Sequence, residues 1–162
     1  MLRWAQSGWT RLRGLVGGEV EILQCRYAEV QGDMYHVTYD TTNAPLNGSS
    51  HNYKCDLNTA TGTWTFSEDD VQWQAFQDDF WKTNVGNYVN WAGEIANKQD
   101  DMPGKPTDKC DFTGCQYRLV GGAYQNAGLV PADVGLQPDD PKLWGAQWVS
   151  STAFSIWDKH PR

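Results

Sequence analysis

The residues best suited to acid–base or nucleophilic chemistry are the histidines and the hydroxyls beside one of them. His51 lies in a Ser/Asn-rich stretch and His36 lies on the polar side of a predicted strand. A hydrolase could use either histidine with Ser49, Ser50 or an aspartate. The chain has no G-x-S-x-G elbow, however, and residues scattered in sequence do not define a triad. His36, His51 and His160 also lack metal-ligand spacing. We therefore expect the three histidines to lie at the surface or on the edge of a sheet, and we assign no catalytic residue, metal or cofactor.

Clusters of acidic residues are the next candidates for chemistry. They could bind calcium or act as paired carboxylates, but none shows the alternating oxygen ligands of an EF-hand loop, and acid pairs occur in almost any acidic protein. We expect the first cluster to cap a helix and the others to be solvated. The clusters are Glu68–Asp70, Asp78–Asp79, Asp100–Asp101 and Asp139–Asp140.

Four cysteines, Cys25, Cys55, Cys110 and Cys115, allow two disulfides. Cys110 and Cys115 enclose a short loop, and Cys25 and Cys55 lie in neighbouring strand-like segments, so these are the pairs that we take as disulfide candidates. Free thiols are the second hypothesis. A zinc ion held by all four is the third, because structural zinc ligands come in close pairs and Cys25 and Cys55 stand alone. The redox compartment stays open.

The charge of the chain is divided unevenly. Residues 1–18 contain Arg3, Arg11 and Arg13 and no acid, whereas the whole chain carries a net charge of -7. The rest of the chain is therefore strongly acidic. Because nucleic-acid binding relies on clustered cations that displace counterions from phosphates, an acidic body argues against nucleic acid as a partner.

Residues 1–18 form an amphipathic basic N-terminal segment. On a helical wheel its apolar side chains gather on one side, away from the arginines. Its polar residues interrupt the continuous apolar stretch that a secretory signal needs, but an Arg-bearing, acid-free segment is typical of mitochondrial targeting. The alternative is a segment that packs on the body or on a partner. No stretch of the chain is long and apolar enough for a transmembrane helix.

Tryptophan is in excess, with nine residues in a chain of 162. Several lie near the two ends, where burial within one core is difficult, and aromatic residues are enriched at interface hot spots. Stacking on sugars is the alternative use of exposed tryptophan. We predict a partner-binding surface from the tryptophans and arginines of the ends, namely Trp4, Trp9, Arg3, Arg11, Arg13, Trp144 and Trp157.

Residues 19–66 show strand periodicity. The clearest alternation runs through Tyr35, Val37 and Tyr39, and the turn residues 58–62 predict a hairpin. After this stretch, Ser67 followed by three acids is typical of a helix start, and Trp73, Phe76 and Phe80 would then share one helical face. The sequence therefore predicts an α+β fold, a small antiparallel β-meander packed by one main helix, with long irregular N- and C-terminal segments. Its domains would be segment 1–18 and a single α+β domain, 19–162.

These features favour a non-catalytic accessory or structural subunit of a larger protein assembly. Its partners would be other protein subunits, with a possible membrane-surface contact through residues 1–18, and a mitochondrial membrane-associated complex would fit that segment. The alternative is an extracytoplasmic, disulfide-stapled binding module for which carbohydrate is a candidate ligand. An enzyme of unknown class comes third.

Overall fold

The chain consists of two compact β-rich units, residues 1–87 and 88–162. The computed structural model describes residues 3–46, 48–86, 89–93, 103–136 and 140–160. Within those ranges, strands account for 54% of the structure and no helix reaches seven residues. In the described ranges, no helix is long and apolar enough to cross a bilayer, as the sequence predicts.

The first sheet of the first unit is an antiparallel meander of three strands in the order β1-β2-β3. The strands are β1 (Trp4–Val16), β2 (Glu19–Gln31) and β3 (Tyr35–Asp40). β1 and β2 pair along their whole length, from Trp4 opposite Gln31 to Val16 opposite Glu19. Their connection is Gly17-Gly18, with φ angles of 60° and 93° that suit a two-residue hairpin turn.

The second sheet of this unit is another meander, β4 (Tyr53–Asn58), β5 (Thr63–Glu68) and β6 (Val71–Gln77). A 3₁₀ turn at Asp79–Lys82 follows it. The two sheets pack face to face, since one apolar core joins Ala28 and Val30 of β2 to Phe66 of β5 and to Trp81 of the 3₁₀ turn. Loss of water from these side chains is the main force holding the sheets together.

The second unit has its own core. Its strands are β7 (Gly104–Lys105), β8 (Asp108–Phe112), β9 (Gln116–Arg118), β10 (Tyr124–Asn126), β11 (Trp144–Ser150) and β12 (Ala153–Asp158), with a 3₁₀ turn at Pro131–Asp133. One sheet has the order β11-β12-β8-β7 and a second pairs β10 with β9. Buried residues Cys115, Trp144, Phe154 and Ile156 form the centre of this unit.

The predicted main helix after Ser67 is wrong. Asp69 and Asp70 have φ angles of 51° and 63° and form the tight turn between β5 and β6, so they do not start a helix. The register of the β5–β6 pair shifts between Phe66 and Ser67, and Trp73 is the extra residue of a β-bulge. The bulge changes which face the following residues occupy, and both Trp73 and Phe76 pack against the core. Their three-residue spacing therefore resembles a helical repeat although the segment is a strand.

The prediction of long irregular ends is also wrong. At the N-terminus, residues 4–16 form β1, and the glycines that resemble a helix end are its hairpin turn. At the C-terminus, β11 and β12 form an antiparallel pair. In the described part of the N-terminal segment, residues 3–18, the clustering expected on a helical wheel is absent, because cross-strand pairing with β2 satisfies the backbone of residues 4–16 instead.

Candidate functional site

Ser49, His51 and Asp69 form a hydrogen-bonded chain in the first unit. The Ser49 Oγ lies 2.7 Å from His51 Nε2, and His51 Nδ1 lies 2.9 Å from Asp69 Oδ2. This is the connectivity of a serine, a base and an orienting carboxylate. Ser49 and His51 belong to the connection between β3 and β4, whereas Asp69 belongs to the β5–β6 turn.

The backbone around Asn52 holds the carboxylate in place. Asp69 N donates to Asn52 O at 2.9 Å, and Asn52 N donates to Asp69 Oδ1 at 2.9 Å. These two hydrogen bonds hold Asp69 beside Asn52, the residue that follows His51 in the chain. The backbone hydrogen bond from Asn52, followed by the hydrogen bond to His51, lowers the pKa of Asp69 below its usual value. The carboxylate is therefore ionised at neutral pH and accepts the Nδ1 hydrogen of the imidazole.

A second carboxylate faces the same nitrogen. Glu68 Oε1 lies 3.2 Å from His51 Nδ1, and the Glu68 side chain is 7% exposed. Its other oxygen accepts a hydrogen bond of 2.9 Å from Arg26 Nη1. Two carboxylates on one side of the ring favour the tautomer that carries its hydrogen on Nδ1, which leaves Nε2 as an acceptor facing Ser49.

Arg26 ties the site to the first sheet. Its Nε and Nη2 atoms donate to Asp40 Oδ2 at 2.9 and 2.7 Å, and its guanidinium lies 4.6 Å from the centre of the Trp73 ring. A hydrogen bond from the Asn43 side chain, together with those from Arg26, lowers the pKa of Asp40 to about 2. Desolvation, followed by the Glu68 charge, raises the pKa of the nearby Tyr53 hydroxyl. The site is thus part of a network spanning β2, β3 and β5.

The Ser49 hydroxyl has two acceptors within reach but a single hydrogen to donate. One acceptor is His51 Nε2, and the other is Leu46 O at 2.5 Å. A cavity of about 380 Å³ adjoins this hydroxyl. Its wall combines apolar Pro45, Leu46 and Val71 with the polar groups of the site. A small molecule could therefore reach Ser49 from solvent.

The distal half of the β1–β2 hairpin is a second candidate site. β3 pairs with β2 along Arg26–Gln31, and in the part of the chain that the structure describes no third strand is hydrogen-bonded to Glu19–Cys25. Leu15, Val20 and Ile22 are 76%, 68% and 64% exposed. Side chains of cross-strand pairs share a face, so Leu15 opposite Val20 and Arg13 opposite Ile22 form one surface that is both apolar and cationic.

The predicted partner-binding residues of the N-terminal segment lie at three levels of this hairpin. At its base, Trp4 Nε1 donates to Glu29 at 3.2 Å, and the Arg3 guanidinium lies 4.8 Å from the Phe80 ring. Trp9 pairs with Arg26 near the middle. Arg11 and Arg13 lie in the distal half, where Arg11 Nε donates to Gln24.

The two C-terminal tryptophans belong to the second unit. Trp144 is 3% exposed and lies in that unit's core, so its ring is covered within the chain. Trp157 lies on β12, with the ammonium groups of Lys109 and Lys159 at 4.5 and 5.7 Å from the centre of its ring. Trp157 thus makes cation–π contacts at the surface of the second unit.

All four cysteines are free thiols in this structure. Cys25 and Cys115 are buried, at 0% and 3% exposure. Desolvation raises the pKa of each thiol, that of Cys55 to about 12. Since the thiolate is the nucleophile and the metal ligand, these thiols are poorly reactive at neutral pH. Within the described ranges, no group of three or more metal-ligating side chains comes together.

The other two histidines lie apart from the chain of hydrogen bonds. His36 is on β3 and stacks on Phe76, with 5.3 Å between ring centroids. His160 Nδ1 lies 2.5 Å from Asp158 Oδ1 in the second unit.

Sequence reasoning includes Ser49 and His51 among several possible combinations, alongside Ser50 and His36, but misses the roles of Asp69, Glu68 and Arg26. The signal for Asp69 is the Asp-Asp pair between two strand-like segments, which is typical of a hairpin turn and which we assigned to a helix start. No family model, curated protein or solved structure matches this chain.

Proposed function

We propose that this chain is an accessory subunit of a larger protein assembly and that it docks on a partner subunit through the distal half of its β1–β2 hairpin. The observation that carries the proposal is the exposure of Leu15, Val20 and Ile22, each more than 60% exposed, on a two-stranded projection. The seven residues Glu19–Cys25 extend about 23 Å beyond the β2–β3 pairing, at about 3.3 Å per residue.

The exposure of this projection is unfavourable for the isolated chain. Two strands without a third strand or a packed face are marginally stable in water, and a contiguous apolar surface marks an interaction site. A partner that covers Leu15, Val20 and Ile22 would remove these side chains from water, at about 25 cal/mol for each Å² buried. Docking therefore stabilises the hairpin as well as the assembly.

The charges of the hairpin define the chemistry of the partner. Arg11 and Arg13 share the face of Val20 and Ile22, whereas Glu19 and Glu21 lie on the opposite face. A partner that covers the apolar face should therefore present apolar side chains bordered by carboxylates. Such complementarity fixes orientation and raises the association rate more than it raises affinity.

Variants of the hairpin test the proposal. Leu15→Asp and Ile22→Asp place a carboxylate on the docking face and should reduce the mass of the particle that tagged chain forms in its native source to that of the free chain. Burying an unpaired charge costs several kcal/mol, and each 1.4 kcal/mol lowers affinity about tenfold. Leu119→Asp is the matched control, because Leu119 is 62% exposed in the second unit. If both hairpin variants enter the same particle as the wild type, the docking proposal is wrong.

The sequence suggests two further properties that stay predictions, a mitochondrial location and, as the alternative function, carbohydrate binding. The alternative would need an open aromatic surface. Trp157, which is half-buried with two lysines near its ring, is the tryptophan to substitute if sugar binding is measured.

A further inference from the structure

We propose that Ser49 is a reactive nucleophile and that Ser49, His51 and Asp69 together hydrolyse small activated esters. This activity is separate from docking, since it uses the β3–β4 connection and the β5–β6 turn and none of the exposed hairpin residues. It also departs from the sequence-based expectation of a non-catalytic chain.

The geometry provides a complete path for the proton. With a hydrogen on His51 Nδ1 directed at Asp69 Oδ2, 2.9 Å away, the Nε2 atom is free to accept the hydroxyl hydrogen of Ser49 across 2.7 Å. Both distances lie within the range required of a nucleophile, a general base and its orienting group.

The competing acceptor of the Ser49 hydroxyl does not block this path. The hydroxyl hydrogen can point to Leu46 O or to His51 Nε2, and the two states differ by rotation about the Cβ–Oγ bond. No heavy atom has to move. The contact with Leu46 therefore reduces the fraction of reactive serine without misplacing its oxygen.

The surrounding charges suit the step in which the imidazole becomes positive. Asp69 Oδ2 and Glu68 Oε1 lie 2.9 and 3.2 Å from His51 Nδ1, so an imidazolium formed during attack meets two carboxylates. Arg26 holds Glu68 through the other oxygen, which keeps that carboxylate in place. Asp69 and Glu68 are thus positioned to stabilise the protonated base.

The cavity limits the size of the substrate, and the backbone at Ser49 limits the reaction to esters with a good leaving group. The cavity of about 380 Å³ would admit a small acyl group against Pro45, Leu46 and Val71. The Ser49 N–H donates to Leu46 O at 3.1 Å, so it does not point at a developing oxyanion. Loss of one oxyanion donor costs about 10²- to 10³-fold in rate. We therefore expect turnover of esters with good leaving groups, such as aryl esters, and no cleavage of amides.

The reaction has two steps, the acylation of Ser49 and the hydrolysis of the acyl-serine. Ser49 Oγ attacks the ester carbonyl carbon while His51 Nε2 takes the hydroxyl proton, and the carbon–oxygen bond to the leaving alcohol breaks as His51 returns that proton to the alcohol. Water then attacks the acyl-serine with His51 again as base. Cleavage of the acyl–Oγ bond releases the carboxylic acid, and the proton passes back to Ser49.

A fluorophosphonate probe tests the nucleophile directly on the full chain. The expected result is a single phosphonyl adduct that maps to Ser49, is absent in Ser49→Ala and persists in Ser50→Ala, the matched control on the neighbouring residue. His51→Gln should slow labelling at least 100-fold, the usual contribution of a positioned general base. Asp69→Asn should also slow it, with the thermal melt of each variant confirming that it is folded.

Hydrolysis of 4-nitrophenyl acetate supplies the second measurement. Wild type and Ser50→Ala should turn over the ester at equal rates, and Ser49→Ala should fall to the rate of the uncatalysed reaction. No adduct at a probe concentration that labels a known serine hydrolase, an adduct on another residue, or full activity in Ser49→Ala would each overturn the proposal. Leu15→Asp should retain labelling, so failure here and failure of docking are distinguishable.

Discussion

Removal of the Arg26 charge should destabilise the first unit far more than removal of the charge on its partner Glu68. Arg26 lies on β2 and binds Asp40 of β3 and Glu68 of β5, so it links the two sheets. The side chains of Arg26 and Glu68 are 14% and 7% exposed, which places the pair in a poorly solvated position. The perturbations are Arg26→Met, which keeps the length of the side chain, and Glu68→Gln.

The expected difference follows from what each substitution leaves behind. Arg26→Met leaves Glu68 without its cation beside Asp40 and Asp69, and an uncompensated buried charge costs about 3 to 5 kcal/mol. We expect the lower end, about 3 kcal/mol, because His51 lies 3.2 Å from Glu68 and can offset part of the charge. Glu68→Gln leaves Arg26 paired with Asp40 and should cost about 1 kcal/mol, the net contribution of one hydrogen bond.

Native-state hydrogen exchange measures this difference in each unit separately. A loss of about 3 kcal/mol should lower the protection of the amides in β2 and β5 about 100-fold in Arg26→Met, at 1.4 kcal/mol for each factor of ten. The amides of β11 and β12, in the second unit, are the internal control. Equal effects below 1 kcal/mol for both variants would refute the view that Arg26 holds a buried charge network together.

Two further predictions concern pH and packing. The pKa of Asp40 falls from 3.8 to about 2 on folding, so the unfolded chain binds more protons than the folded chain between these pH values. The stability of the first unit should therefore decrease as the pH falls from about 4 to about 2. Asp40→Asn should weaken this pH dependence in acid titrations followed by circular dichroism. Gly145→Ala should destabilise the second unit by about 1 to 3 kcal/mol in urea unfolding, because a Cβ there would overlap the Trp157 ring. Gly135→Ala, with nothing within 4 Å of its Cβ, should be neutral.

The sequence identifies strands where local alternation is regular. β3 lies over the alternating Tyr35, Val37 and Tyr39, and the predicted hairpin turn at residues 58–62 joins β4 and β5. The strand prediction fails at Trp73, where the chain forms a β-bulge. A bulge depends on the register with the neighbouring strand, which the local spacing of residues does not reveal. The N-terminal strand is missed for a related reason, since its partner β2 begins after two glycines that also suit a helix end.

The sequence places Ser49 and His51 close together but does not select them as a catalytic pair. Ser50 and His36 are equally eligible by residue type. Asp69 joins Ser49 and His51 through the pairing of β4 with β5, and Arg26 reaches Glu68 through the packing of the two sheets. The sequence separations are 18 residues for His51–Asp69 and 42 for Arg26–Glu68. Neither hydrophobic periodicity nor a sequence motif reveals contacts between residues so far apart in the chain.

The measurement that tests docking most directly is hydrogen exchange of the hairpin in the free chain and in the particle isolated from the native source. Docking through the hairpin predicts that the amides of residues 11–24 exchange more slowly in the particle, while those around Leu119, the exposed control in the second unit, exchange at the same rate in both. Equal exchange of residues 11–24 in the free chain and in the particle would contradict it, because a partner that covers Leu15, Val20 and Ile22 must restrict the opening of these two strands.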